Sequence, residues 1–287
     1  MGHLSMTYIQ LMDHAVRELT RSGSESPRFD AAQLLQGLCG ADRAFLLRQG
    51  DCPCPTEQEA RVLNALARMA EGEPLQYLLG SWEFYGLEFA VGPGVLIPRP
   101  DTETVVDCCR ELLQAVPHPM VADLCSGSGA IALALYHRLP DAQVTAVELS
   151  REAEPYLRRN IHTLSGDRVA LRMGDVLAPV ELPVCDLIVS NPPYITAEDM
   201  KSLSPQVRRE PEMALYGGED GLTFYRGIAA LYQDSLKPGG WLVFEIGYDQ
   251  GESVPEILWQ NGYADIFCRR DLAGIPRCAG GRRPVNE

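Results

Sequence analysis

Asn191-Pro192-Pro193-Tyr194 follows an apolar run, Asp186-Leu187-Ile188-Val189-Ser190. The two prolines lack an N–H and hold φ nearly fixed, which makes a stiff loop. Asn191 can accept through its side-chain oxygen, and the Pro192 carbonyl is a second acceptor. Two fixed acceptors can grip both hydrogens of a planar NH₂ group, and the Tyr194 ring can pack on the flat group that carries it. Amide and exocyclic amine nitrogens are poor nucleophiles because their lone pair is delocalised. Acceptors on both hydrogens favour pyramidalisation and disperse the positive charge that develops on nitrogen. Alignment with a methyl sulfonium would supply the rest through proximity. Asn-Pro alone is a common turn starter. Its place after an apolar strand, downstream of a glycine turn, favours the chemical reading.

That turn is Asp123-Leu124-Cys125-Ser126-Gly127-Ser128-Gly129. Glycines between a strand and a helix let the backbone bend tightly and approach a ligand. The helix start offers free N–H groups to a carboxylate or phosphate. Nineteen residues after Gly129, Glu148 ends the next predicted strand, where a carboxylate can accept ribose hydroxyls. Asp175 follows the third strand at the same edge. It could accept from the exocyclic amine of adenine, or serve as a turn or helix-cap residue. Gly127-Ser128-Gly129-Ala130-Ile131-Ala132 also satisfies the dinucleotide form Gly-x-Gly-x-x-Ala, so the turn by itself does not choose the ligand.

The elements that must position these residues alternate. Strands are expected at Met120–Leu124, Gln143–Glu148, Val169–Met173, Leu187–Ser190 and Gly240–Ile246, with Tyr263–Cys268 ending the sheet. Helices are expected at Ala130–His137, Arg151–Leu164, Leu222–Ser235 and Glu252–Trp259. Such alternation predicts an α/β domain with a doubly wound, Rossmann-like sheet and ligands at the carboxyl ends of its strands. Ahead of it, Ala31, Leu34, Leu35 and Leu38 recur at helical spacing, as do Val62, Leu63, Leu66 and Met69. Residues 6–21 and 41–48 read as two more helices, with breaks at Ser22–Pro27 and Asp51–Pro55. The expected organisation is a small all-α domain over residues 1–82 and a catalytic domain over 83–287. A hairpin linker at about 82–98 joins them through Trp82–Phe84 and Leu87–Val91.

Composition excludes several classes. The 287 residues suit about two domains. A balance of 25 basic to 39 acidic residues, net −14, argues against direct nucleic-acid binding, which needs a basic footprint. The nine cysteines form no pair of Cys-x-x-Cys units and the five histidines are scattered, so no metal is expected. Cys52 and Cys54 fall in a Pro-containing loop without further chemistry. No apolar run nears the ~20 residues of a membrane span, and Met1 to Tyr8 lacks a signal-peptide pattern. A cytoplasmic monomer is expected.

These residues resemble the S-adenosylmethionine-dependent methyltransferases, and more closely the bacterial release-factor glutamine methyltransferase family. The resemblance rests on Gly72-Glu73-Pro74-Leu75-Gln76-Tyr77, Glu83-Phe84-Tyr85-Gly86-Leu87 and Ile97-Pro98-Arg99-Pro100-Asp101-Thr102-Glu103. It continues through Asn191–Tyr194, Glu210-Pro211, Gly217–Leu222, Tyr225-Arg226 and Asp271–Gly274 with Arg277. It implies N5-methylation of the glutamine in the Gly-Gly-Gln loop of class I peptide chain release factors, with S-adenosylmethionine as cofactor. The N-terminal domain would help hold the release factor. Asp123, Cys125, Ser126, Gly127, Ser128 and Gly129 would border the methionine part of the cofactor. Glu148 would hold the ribose, Asp175 and Val176 would border the adenine, and Asn191 would face both cofactor and substrate. Asn191, Pro192, Pro193 and Tyr194 would seat the glutamine amide, with Asn191, Pro192 and Tyr194 carrying the chemistry. Arg99 would touch substrate or brace its loop.

Three positions depart from the family pattern. Glu148 stands where the family usually has Asp, Cys125 where Gly is frequent, and Val176 where many members carry an aromatic residue. A side chain at Cys125 must then point away from the cofactor. Three other readings are weighed against the first: an N-methyltransferase of adenine or guanine in nucleic acid, a nicotinamide oxidoreductase, and a non-enzymatic adaptor. Net charge opposes the nucleic-acid reading, and the oxidoreductase leaves Asn191–Tyr194 unexplained.

Overall fold

The computed structural model describes residues 5–178 and 180–285. The first four residues of the Met1–Tyr8 stretch, and the last two residues of the expected catalytic domain, lie outside them. The chain divides into two compact units, Met1–Gly80 with Ser204–Arg209, and Ser81–Leu203 with Glu210–Glu287.

The first unit is helical: α1 (Tyr8–Arg21), α2 (Pro27–Cys39), α3 (Arg43–Gln49), α4 (Thr56–Ala70) and the short α5 (Leu75–Leu79). Local chemistry sets the ends. Thr7 and Gln10 form a capping box on α1, Pro27 occupies the first turn of α2, and Asp42 caps α3 through Phe45 N at 2.6 Å. Leu11, Leu19, Leu34, Leu35 and Val62 are fully or nearly fully buried, so the helical stripes face inward as their spacing demands. Residues 204–209, expected in the catalytic domain, belong to this unit. Arg209 donates to the Glu71 carbonyl at 3.0 Å.

The second unit opens on the hairpin β1 (Ser81–Phe84) and β2 (Leu87–Ala90), then a single 3₁₀ turn and α6 (Glu103–Leu113). The strands β3 (Met120–Leu124), β4 (Gln143–Glu148), β5 (Ala170–Met173) and β6 (Cys185–Ser190) follow, interleaved with α7 (Ala130–Arg138) and α8 (Glu154–Ser165). They are succeeded by α9 (Thr223–Leu231), β7 (Leu236–Glu245), α10 (Ser253–Gln260), β8 (Ala264–Arg270) and β9 (Pro276–Arg282). The sheet order is β5-β4-β3-β6-β7-β9-β8. Its first five strands are parallel and β9 is antiparallel to both neighbours.

This corrects one expectation. The chain does not end its sheet at Tyr263–Cys268, because β9 returns and inserts between β7 and β8. Gly280 and Gly281 disguise this strand. A side chain at Gly280 would stand 2.6 Å from the Phe267 ring, and one at Gly281 2.8 Å from Tyr263 Cβ, so the glycines admit aromatic cover over the backbone.

Two apolar clusters sandwich the sheet. Val105, Val106, Ile131, Leu135 and Leu157 from α6, α7 and α8 cover one face. Tyr225, Ile228, Val254 and Leu258 from α9 and α10 cover the other. The chain winds from β3 outward to β5, then recrosses to β6 beside β3. This reversal leaves a crevice at the carboxyl ends of β3 and β6, where ligands bind in such sheets.

Candidate active site

Leu124 pairs with Ser190 across the β3–β6 ladder, and Ser190 Oγ donates to the Leu124 carbonyl at 2.8 Å. The glycine turn and the Asn-Pro-Pro-Tyr loop therefore leave the sheet side by side. Both open into a cavity of about 610 Å³ at this edge, within the range of small-molecule sites. Asp123, Cys125, Ser126, Gly127, Ser128, Glu148, Asp175, Val176, Asn191, Pro193 and Arg99 all line it. Residues nearly a hundred apart in sequence are so brought together by the topology.

The turn is built by left-handed backbone at Cys125 (φ 60°), Gly127 (φ 55°) and Gly129 (φ 85°). Cys125 pays the steric cost of a side chain in that region; its thiol packs against the second apolar cluster, and burial pushes its pKa up. Gly129 does not line the cavity. A Cβ there would come 2.7 Å from Leu157 Cδ1, so this glycine serves the packing of α7 on α8.

Asp123, next to last in β3, is almost fully buried. Its Oδ2 accepts from Ala132 N at 3.1 Å, and its Oδ1 has no partner. Burial pushes its pKa up to about 7, with Ser126 and Ala132 acting in the opposite sense through hydrogen bonds. A buried carboxyl oxygen left open at a cavity wall is suited to a cationic donor. Glu148 is already engaged. Its Oε1 accepts from Leu149 N at 2.9 Å and Ser150 N at 2.7 Å, and its Oε2 accepts from Gly127 N at 2.7 Å. Of four lone-pair positions, one on Oε2 remains for a ligand hydroxyl. Asp175 Oδ1 accepts from Leu177 N at 2.9 Å, so this side chain does make the turn that the sequence allowed, while still lining the cavity. Leu149 and Leu177 add partly exposed apolar surface to the wall.

The Asn-Pro-Pro-Tyr loop is fastened from behind. Ile195 N donates to the Leu215 carbonyl at 2.8 Å, and Gly217 N to the Ile195 carbonyl at 2.9 Å. A Cβ at Gly217 would lie 2.6 Å from Tyr194 Cα, so only glycine allows this approach. Gln250 joins the loop to β7: its Nε2 donates to the Gly221 carbonyl at 3.2 Å and the Tyr194 carbonyl at 3.4 Å, and its Oε1 accepts from Gly247 N at 2.8 Å. Asn191 and Pro193 line the cavity, whereas Pro192 and Tyr194 do not. The Tyr194 ring packs against the second apolar cluster, and burial raises its pKa to about 12.

A charged network borders the same end. Arg277 reaches Asp101 at 3.1 Å and Asp271 at 3.2 Å, and Arg99 pairs with the buried Glu210. Glu245, the residue after the Ser190–Phe244 pair in the β6–β7 register, is buried with Oε2 unpartnered. Burial pushes its pKa up to about 7, opposed by the Thr102 hydrogen bond and the Arg277 charge. Gln250, Glu210 and Glu245 were not picked out as site residues from sequence. Only Glu210, inside a quoted segment, left any signal there.

Among the described residues no group of three or more His, Cys, Asp or Glu side chains could hold a metal, and no helix is long and apolar enough to cross a membrane.

Residues 10–80 match the family described as PrmC N-terminal domain, and residues 103–208 match the methyltransferase small domain. A release factor glutamine methyltransferase of Geobacter sulfurreducens is 44% identical over 278 residues, 96% of this chain and 96% of that protein. Its counterpart in Moorella thermoacetica is 42% identical over 275 residues, 95% of this chain and 97% of that one. A methyltransferase structure from Pyrococcus furiosus aligns with a TM-score of 0.52 over 80% of this chain and 100% of its own, at 18% identity, and so shows the fold alone.

Proposed function

The chain belongs to the release factor glutamine methyltransferase family, and from that premise we propose how its cavity methylates a release-factor glutamine at N5. Membership of a methyltransferase family carries the use of S-adenosylmethionine with it. When bound, this cofactor supplies an electrophilic methyl group on a sulfonium. The acceptor is the glutamine of the Gly-Gly-Gln loop of class I release factors, and the enzyme works as a cytoplasmic monomer.

The observation that carries the reading is the juxtaposition of two loops. The Cys125–Gly129 turn and the Asn191–Tyr194 loop leave paired strands and open into one cavity. The open Oδ1 of Asp123 fits the ammonium of the cofactor's methionine part. The remaining lone pair of Glu148 Oε2 fits one ribose hydroxyl, and Val176, Leu177 and Leu149 offer apolar contact to the flat purine. Asn191 Oδ1 and the carbonyl of Pro192, which stands between the two wall residues Asn191 and Pro193, accept the two amide hydrogens of the glutamine, which lets the nitrogen pyramidalise as the new bond forms. Tyr194 serves the loop through its own packing and through Gln250. The proton released from nitrogen leaves to water after transfer, so the chemistry needs no dedicated base.

Tandem mass spectrometry of a release factor incubated with the enzyme and S-adenosylmethionine tests the reading. One added methyl group on the side chain of the Gly-Gly-Gln glutamine is expected; a methyl group on a backbone or other side-chain position contradicts it. Methylation of adenine or guanine in nucleic acid is not favoured, and no observation here supports it.

A further inference from the structure

Two chain segments line the cavity together with Asn191 and Pro193: Ile97–Arg99, and Pro211–Ala214 with Tyr216. Pro98 and Pro100 have no N–H, so the first segment cannot be held by an ordinary backbone ladder. It is held by a side chain 113 residues away. Glu210 Oε2 accepts from Ile97 N at 3.0 Å, and its Oε1 pairs with Arg99 Nη2. The Glu210 side chain is 2% exposed and that of Arg99 is 36% exposed. Immediately beyond Glu210, the second segment is bonded to the substrate loop through Leu215 and Gly217. Glu210 is thus the joint between the Arg99 wall and the loop that carries Asn191.

We propose that Glu210 is a positioning residue: it holds the Arg99 guanidinium at a fixed place beside the Asn191–Tyr194 loop, where the remaining N–H donors of Arg99 meet main-chain carbonyls of the acceptor polypeptide. An arginine carries five such donors, and a glycine-flanked loop exposes its carbonyls. The inference rests on the release-factor reading for the identity of that polypeptide. It does not rest on it for the joint itself.

The test measures kcat and both KM values in wild type, E210A, E210Q, R99A and the E210A/R99A double variant, with labelled S-adenosylmethionine and purified release factor. E210A and R99A should each raise KM for the release factor by about tenfold or more, the loss of one charge-assisted hydrogen bond. KM for S-adenosylmethionine should stay within about twofold of wild type. The double variant should be no worse than the weaker single one, and E210Q, which still offers an oxygen to Ile97 N–H, should fall between. Additive losses in the double variant would overturn the proposal, as would equal rises in both KM values. Hydrogen exchange at the Ile97 amide decides the joint without any substrate. Faster exchange there in E210A, with Gly127 unchanged, supports it, and wild-type exchange at Ile97 overturns it. A wild-type enzyme that transfers no label would sink the functional reading and leave the exchange result to judge the joint.

Discussion

Asn191 and Asp123 both line the cavity, and single substitutions should separate their roles. Asn191→Ala removes an acceptor from the amide while leaving the glycine turn intact. Turnover should fall by about 10²–10³, as when one preorganised hydrogen-bond partner is lost, with S-adenosylhomocysteine affinity by calorimetry within about twofold of wild type. Near-normal turnover would remove Asn191 from the chemistry. Asp123→Asn keeps the shape but takes away the charge that the open Oδ1 offers, so calorimetry should show cofactor affinity reduced by about tenfold or more. Glu245 makes a prediction about pH. Burial pushes its carboxyl up to about 7 from an ordinary 4.5, amid Arg277, Arg99, Asp101 and the Thr102 hydroxyl. Between these values the folded chain keeps a proton that the unfolded chain has released, so stability falls as pH rises through the window. Glu245→Gln should abolish that part of the fall, on the order of 3 kcal/mol between pH 5 and pH 8. Parallel denaturant curves for wild type and variant at both pH values check it; equal losses would show that Glu245 ionises normally.

The loop from Asn191 to Tyr194 owes its place to neighbouring elements as much as to its prolines. Gly217→Ala would push a methyl group into the Tyr194 backbone, 2.6 Å away. It should cost about 1–3 kcal/mol of stability and displace the loop, with turnover falling while cofactor binding by calorimetry persists. Full activity would mean the loop yields freely. The elements themselves were largely legible in the sequence. Apolar runs at Met120–Leu124 and Gln143–Glu148 became β3 and β4 as expected, and Asn191 fell at the end of a strand. The glycine turn and Glu148 were legible because their chemistry is local: a tight bend, then an acid one strand later. Strand β9 was not, since two adjacent glycines carry no apolar alternation, and their fit under Phe267 and Tyr263 exists only in the fold. The role of Glu210, and Gln250 itself, escaped for a related reason. Their partners, Ile97 and Tyr194, lie 113 and 56 residues away, and no spacing rule reaches that far. Tyr194, expected against the substrate, packs on a cluster that the sheet, α9 and α10 build together, which no local pattern announces.

At the scale of the whole chain, a net charge of −14 fits a protein substrate better than a nucleic acid. The α/β unit carries a cavity at its strand reversal, and the helical unit has no chemical motif among its described residues. The account stands or falls on the acceptor atom. The most direct measurement is methyl transfer from labelled S-adenosylmethionine to a purified class I release factor and to its Gln→Ala variant in the Gly-Gly-Gln loop. Label on the intact factor and none on the variant is the predicted result. Equal labelling of both, or none on either while calorimetry shows the cofactor bound, would contradict it.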